Sequence, residues 1–98
     1  MDWPKEKYSI DTVIQGYEVP TIVNANEKYS VITTGLLEQL DLKKCYVKFQ
    51  RKFIIISGEN VNSLGKIQHL KILLKHISVK PLLHIIEDKY PCLIFGQN

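Results

Sequence analysis

The chain has 98 residues, 13 basic against 10 acidic side chains for a net charge of +3, and a composition 45% hydrophobic and 23% charged. That balance describes one folded domain with a single core, residues 1–98, and excludes a disordered or low-complexity chain; at this size, pairing with a second subunit would add to stability. No apolar run approaches the ~20 residues of a membrane span, and the charged start Met1-Asp2-Trp3-Pro4-Lys5-Glu6-Lys7 is not a secretory signal, so the expected setting is intracellular, cytoplasmic or nuclear, with no membrane partner.

Residues 1–7 read as an N-terminal extension. Tyr8-Ser9-Ile10-Asp11-Thr12-Val13-Ile14 is rich in β-formers, Gln15-Gly16 supplies a turn and Tyr17-Glu18-Val19 resumes, which predicts a hairpin. Thr21-Ile22-Val23 is a β-branched run that enters a short polar loop, Asn24-Ala25-Asn26-Glu27-Lys28-Tyr29, and Ser30-Val31-Ile32 leaves it. The pattern is strand, tight loop, strand. Thr33 or Thr34 then caps a short helix in which Leu36, Leu37 and Leu40 share one face while Glu38 and Gln39 meet water, and Asp41-Leu42-Lys43-Lys44 ends it.

Cys45-Tyr46-Val47-Lys48-Phe49 and Phe53-Ile54-Ile55-Ile56 read as strands, with a bend or bulge at Gln50-Arg51-Lys52. Residues 57–65 carry two glycines among Ser57, Glu59, Asn60, Asn62 and Ser63, the most turn-rich stretch of the chain, and predict a hairpin tip. Over Lys66–Ile77 two periods compete. Ile67, Leu70, Leu74 and Ile77 fall at helical spacing, whereas Leu70, Ile72 and Leu74 alternate with Lys71, Leu73 and Lys75 as in a strand. Val79 to Ile86 reads as a strand interrupted by Pro81, which suits an edge or a bulge. After the turn Glu87-Asp88-Lys89-Tyr90-Pro91, Cys92-Leu93-Ile94-Phe95 is a buried strand ending at Gly96.

Two of these stretches, in this order, carry a family likeness. Asn24-Ala25-Asn26-Glu27 followed by Ser30-Val31-Ile32, and Ile94-Phe95-Gly96-Gln97-Asn98 near the end, resemble the active-site loop and the Ile-Ile/Leu-Gly-Arg-Asn/Asp segment of retropepsin-like (retroviral and retrotransposon-type) aspartic proteases. The resemblance implies a mainly β fold, a closed β-barrel subunit of the acid-protease type with one short helix. It also implies a flap-like hairpin tip at 57–65, a long strand opening at Lys66 and returning through a turn at His76-Ile77-Ser78, and a subunit that pairs through the loop.

The family's aspartate position is Asn24. Proteolysis of this type needs two facing carboxyl groups sharing one proton, one to activate water and one to donate to the carbonyl. An amide holds a water by hydrogen bonds but does not deprotonate it. The family's Thr or Ser is Ala25, without a hydroxyl, and its glycine is Asn26, a residue that visits positive φ more readily than most. The expectation is a pseudo-protease that keeps the frame and has lost the reaction, a protein–protein interaction or dimerisation module. Its partner is a second copy or another domain. The interface candidates are Asn24, Ala25, Asn26, Ile94, Phe95 and Gly96, and the flap or groove candidates for a peptide ligand are Ser57, Gly58, Glu59 and Asn60. No cofactor is implied.

Other chemistry is thinly represented. Lys43, Lys44, Lys48, Arg51, Lys52, Lys66, Lys71, Lys75 and Lys80 face one acid, Glu59, between 43 and 80, so nucleic-acid binding by this basic region is the alternative function. Lysines along strands are also a solvated face that discourages edge pairing. Cys45 and Cys92 read as buried free thiols. His69, His76 and His84 lack a fourth ligand, so no metal site is expected. The aromatic side chains read as core and cross-strand pairs. A working aspartic protease is the least favoured reading.

Overall fold

The computed structural model describes residues 12–24, 26–42, 47–56 and 58–97, and the side chains of all of these but 47–52. Among the described residues ten strands and one helix follow in order: β1 Thr12–Ile14, β2 Tyr17–Glu18, β3 Thr21–Val23, β4 Ser30–Thr33, α1 Thr34–Gln39, β5 Val47–Ile56, β6 Glu59–Ile67, β7 Ile72–Leu74, β8 Ile77–Val79, β9 Leu83–Ile86 and β10 Leu93–Phe95. They build a four-stranded sheet, β2-β1-β7-β8, and a six-stranded sheet, β3-β10-β4-β9-β6-β5. Among the described residues no ladder joins the two sheets into a closed barrel.

The alternation of β-branched residues decides how these layers pack. One row across the six-stranded sheet runs Ile22, Ile94, Val31, His84, Lys66, and the next runs Thr21, Leu93, Ile32, Ile85, Gly65. Successive rows face opposite sides. Ile32, Ile85 and Leu93 join Ile14 and Ile72 of the smaller sheet, Leu36 and Leu37 of the helix and its C-cap Leu40 in the main core. Ile22, Val31 and Ile94 form a second cluster with Ile54, Ile56, Ile86 and Cys92. Both faces of the large sheet are therefore buried around β10, β4 and β9.

Local signals explain the ends of the helix. Thr33 is the N-cap, its hydroxyl accepting from Leu36 N at 3.3 Å. At the other end Leu42 N donates to Leu37 O (2.9 Å) and Asp41 N to Glu38 O (3.2 Å), with Asp41 at φ 54°. This is a Schellman motif, in which a left-handed residue lets the last carbonyls find donors. Leu42, only 4% exposed, is carried back into the main core by that turn.

Several expectations are corrected. Residues 66–77 are strand and turn, as the family likeness implied against the competing helical period, but no single long strand opens at Lys66. Instead β6 begins at Glu59, so most of the stretch expected as a hairpin tip is ladder with β5, and the turn shrinks to the vicinity of Gly58. The polar residues of 59–63 are strand residues of a hairpin with one open face, which needs few apolar side chains. The later turn falls at Lys75-His76, both at positive φ (49° and 72°), and Ile77 and Ser78 belong to β8. Val79 and Ile86 do not share a strand. Pro81 separates β8 from β9, which lie in different sheets, because proline has no N–H to continue a ladder. The 50–52 irregularity is a register shift between Lys48 and Lys52 inside one strand. Tyr17 and Phe53 are each 64% exposed, one on an edge strand and one on the outer side of the β5–β6 hairpin, so neither is a core residue. The strand prediction for 8–11 and the reading of Cys45 lie outside the described residues.

Candidate functional site

The loop 24–29 leaves β3, an edge strand among the described residues, and β10 runs parallel beside it, pairing Val23 with Phe95 and Ile22 with Ile94. Asn24 N donates to Phe95 O at 2.9 Å, extending that pairing by one residue beyond β3. The loop then closes on itself. Glu27 N donates to Asn24 O (3.1 Å), and Asn26 N donates to the side-chain oxygen of Asn24 (3.0 Å). The amide thus serves as a local turn former, the ordinary habit of Asn in a tight loop.

The chain just after β10 fastens the other side of the loop. Gln97 N donates to Glu27 O (2.8 Å) and Gly96 N donates to Ser30 Oγ (3.0 Å). Gly96 has no room for a side chain, since a Cβ there would lie 2.6 Å from Glu27 O and closer still to Tyr29 O. Glycine is required by close backbone approach.

Of the sequence-selected residues, Asn24, Phe95 and Gly96 are brought together through the backbone. Asn24 is half-buried and Asn26 exposed, while Ala25 lies outside the described residues. Ile94 (3% exposed) and Phe95 (8%) turn into the second cluster and the main core, so their side chains support the loop from within. Gly58, Glu59 and Asn60 are exposed at the far end of the β5–β6 hairpin, and Ser57 lies outside the described residues. Ile54 and Ile56 of β5 are 2% and 0% exposed in the second cluster, with Tyr29, Val61 and Tyr90 packed around it.

One buried polar pair has no local signal in the sequence. Ser63 Oγ lies 3.1 Å from Gly65 O, to which it donates, and 3.2 Å from His84 Nδ1. With its single hydrogen committed to Gly65, the serine oxygen is left as acceptor for an Nδ1–H. The His84 ring meets Tyr29 edge to face, with centroids 5.0 Å apart. Ser63 is fully buried and His84 is 5% exposed, so the pair braces the irregular stretch of β6 against β9. It was invisible in the sequence because 21 positions separate its members. His69 and His76 are exposed on other segments, and no group of three metal-ligating side chains is present among the described residues. Cys92 is buried, and its thiol donates to Leu93 O at 3.7 Å. No helix among the described residues is long and apolar enough to cross a membrane.

No family model matches the sequence, and no curated protein matches it. Solved structures do match. The chain is similar to the retroviral protease-like domain of Ddi1 from Leishmania major, with a TM-score of 0.73 and 18% identity over 93% of this chain and 72% of that one. It is also similar to the EIAV protease complexed with the inhibitor HBY-793, with a TM-score of 0.64 and 21% identity over 99% of this chain and 88% of that one. The fold is therefore retropepsin-like, mainly β with one short helix, in two sheets.

Proposed function

We propose that this retropepsin-like domain is non-catalytic and serves as a protein–protein interaction or dimerisation module, with the 24–29 loop and the adjoining β3 edge as its contact surface. The observation that carries the reading is the position and occupation of Asn24. It stands at the end of β3 beside Phe95, and its side-chain oxygen is taken up by Asn26 N. A carboxamide there has no titratable proton in the working range, so the shared-proton chemistry of paired carboxyls has no first member. A symmetric pair would bring two amides together, and a mixed pair one amide and one acid.

The burial pattern favours the loop over the hairpin groove as the contact surface. Ile54 and Ile56 on the inner side of the hairpin are buried in the second cluster, whereas Val23, next to the loop, is 60% exposed on a strand that is paired on one side only among the described residues. An edge strand of this kind accepts a partner strand by main-chain hydrogen bonds.

Light scattering coupled to size exclusion, over a range of concentrations, tests the dimer: a mass that rises from one subunit to two supports it, and a constant single-subunit mass removes the homodimer. Cleavage of a peptide library, blocked by a pepsin-type inhibitor, would remove the non-catalytic reading altogether.

A second reading, nucleic-acid binding, draws on Lys71, Lys75 and Lys80, all exposed around the β7–β8 hairpin. It requires affinity for RNA or DNA that falls steeply with salt; no binding at low salt disposes of it.

A further inference from the structure

Two adjoining hollows open between the β1–β2 turn and residues 68–71, the segment linking β6 to β7. The first, about 240 Å³, has an apolar floor of Leu42, Ile67 and Leu70, and its rim carries Lys66, His69 and the amides of Gln15 and Gln68. The second, about 420 Å³, shares Gln15, His69 and Leu70 and continues over Val13 and Leu73 to Lys71. No carboxylate is among the described residues lining either hollow. The two cations thus stand in different lobes, with apolar surface between them.

We infer that this double hollow docks an extended acidic segment of a partner protein, one large apolar side chain seated on Leu42, Ile67 and Leu70 with a carboxylate toward Lys66 and another toward Lys71. Charge complementarity selects the occupant. An apolar floor alone takes any greasy body, but a rim that is cationic and free of described acids rejects basic segments and guides acidic ones. A nucleic acid would use this surface poorly, because phosphates gain nothing from the aliphatic floor and no Phe, Tyr or Trp ring among the described lining residues offers a base a broad stacking platform. The site is separate from the Asn24 loop, since β6 lies four places along the sheet from β3. It can therefore stand or fall independently of the contact surface proposed above.

The test titrates the isotope-labelled 98-residue chain with a synthetic peptide in which glutamates flank one central leucine, and follows backbone amide shifts. Shifts are expected at Gln15, Gln68, His69, Leu70 and Lys71. The pair Lys66→Glu and Lys71→Glu should weaken binding by about tenfold or more, with circular dichroism unchanged. Replacing the peptide's leucine with serine should weaken it by about tenfold. The exposed-site variant His69→Glu supplies the same charge test should Lys66→Glu fail to fold. The inference is overturned by shifts confined to other residues, by equal binding of the leucine-free peptide, by charge-reversed variants that bind as well as the parent, or by a single-stranded RNA that displaces the peptide from these residues.

Discussion

The backbone N–H of Gly96 donates to the hydroxyl of Ser30 at 3.0 Å, joining positions 66 apart in sequence. That bond, with Gln97 N to Glu27 O and Asn24 N to Phe95 O, fixes the loop from both flanks. Gly96→Ala places a methyl group against two backbone carbonyls that have no side-chain freedom to yield. It should cost about 3 kcal/mol. Ser30→Ala, which orphans the Gly96 N–H without a clash, should cost about 1 kcal/mol. Urea unfolding of both variants measures the difference, and equal costs would mean that the loop and the β10 end are not in contact.

Thr33 is expected to be the most sensitive hydroxyl in the protein. Its Oγ donates to Tyr90 O (2.8 Å) and accepts from Cys92 N (3.0 Å) and Leu36 N (3.3 Å), so one atom caps α1 and anchors the chain leading into β10. Thr33→Val keeps the shape and leaves these partners unsatisfied, and should cost about 2 kcal/mol or more. Thermal unfolding of the valine variant beside the parent checks this; an unchanged midpoint would refute it.

The β7–β8 turn is built from residues poorly suited to it. Lys75 and His76 both sit at positive φ, the backbone of a two-residue hairpin that favours Asn-Gly. Both side chains are exposed, so nothing is lost by exchanging them. Lys75→Asn with His76→Gly should stabilise the protein by about 1 kcal/mol. A lower unfolding midpoint in urea would show that these side chains have contacts worth more than the strain.

Much of this frame was legible in the sequence wherever local chemistry and burial agree. Gln15-Gly16 announced a hairpin turn, Thr33 or Thr34 a cap, and the runs Thr21–Val23, Ser30–Ile32 and Cys92–Phe95 the strands around the loop. The failures have physical causes. Residues 59–63 are polar and still strand, because a hairpin with one open face does not need an apolar alternation. Around Leu70 to Ile77 the apolar spacing satisfies two periods at once, and the choice is made by pairing partners, Val13 opposite Leu73 and Ser78 on its other side, that lie elsewhere in the chain. Ser63 and His84 meet only through the β6–β9 register, which no short motif encodes.

Restoring the family letters should leave the fold intact. Asn24 Oδ1 accepts from Asn26 N, and a carboxylate oxygen accepts the same bond. Asn24→Asp with Ala25→Thr and Asn26→Gly should therefore stay within about 1 kcal/mol of the parent, read from urea unfolding with an unchanged slope. A collapse of stability would mean that the loop depends on the amide hydrogens of Asn24, and the likeness to an acid-bearing loop would lose its geometric basis.

Whether the second cluster is a true core decides if the face beneath the β5–β6 hairpin is open to any ligand. Adjacent residues of β5 give a matched comparison, because Ile54 is 2% exposed and Phe53 is 64% exposed on the opposite side. Ile54→Ala removes a side chain packed among Ile22, Val31, Ile56 and Ile94 and should cost about 3 kcal/mol. Phe53→Ser should stay within about 0.5 kcal/mol. Hydrogen exchange adds a spatial readout: in Ile54→Ala, amide protection should fall in β5 and β6, since the hairpin loses its hold on the sheet face, while β1 and β7, which pack on the main core, keep theirs. If Ile54→Ala instead costs no more than Phe53→Ser and exchange is unchanged, the hairpin does not seal that face in solution, and peptide binding beneath it regains its place beside the loop as a contact surface.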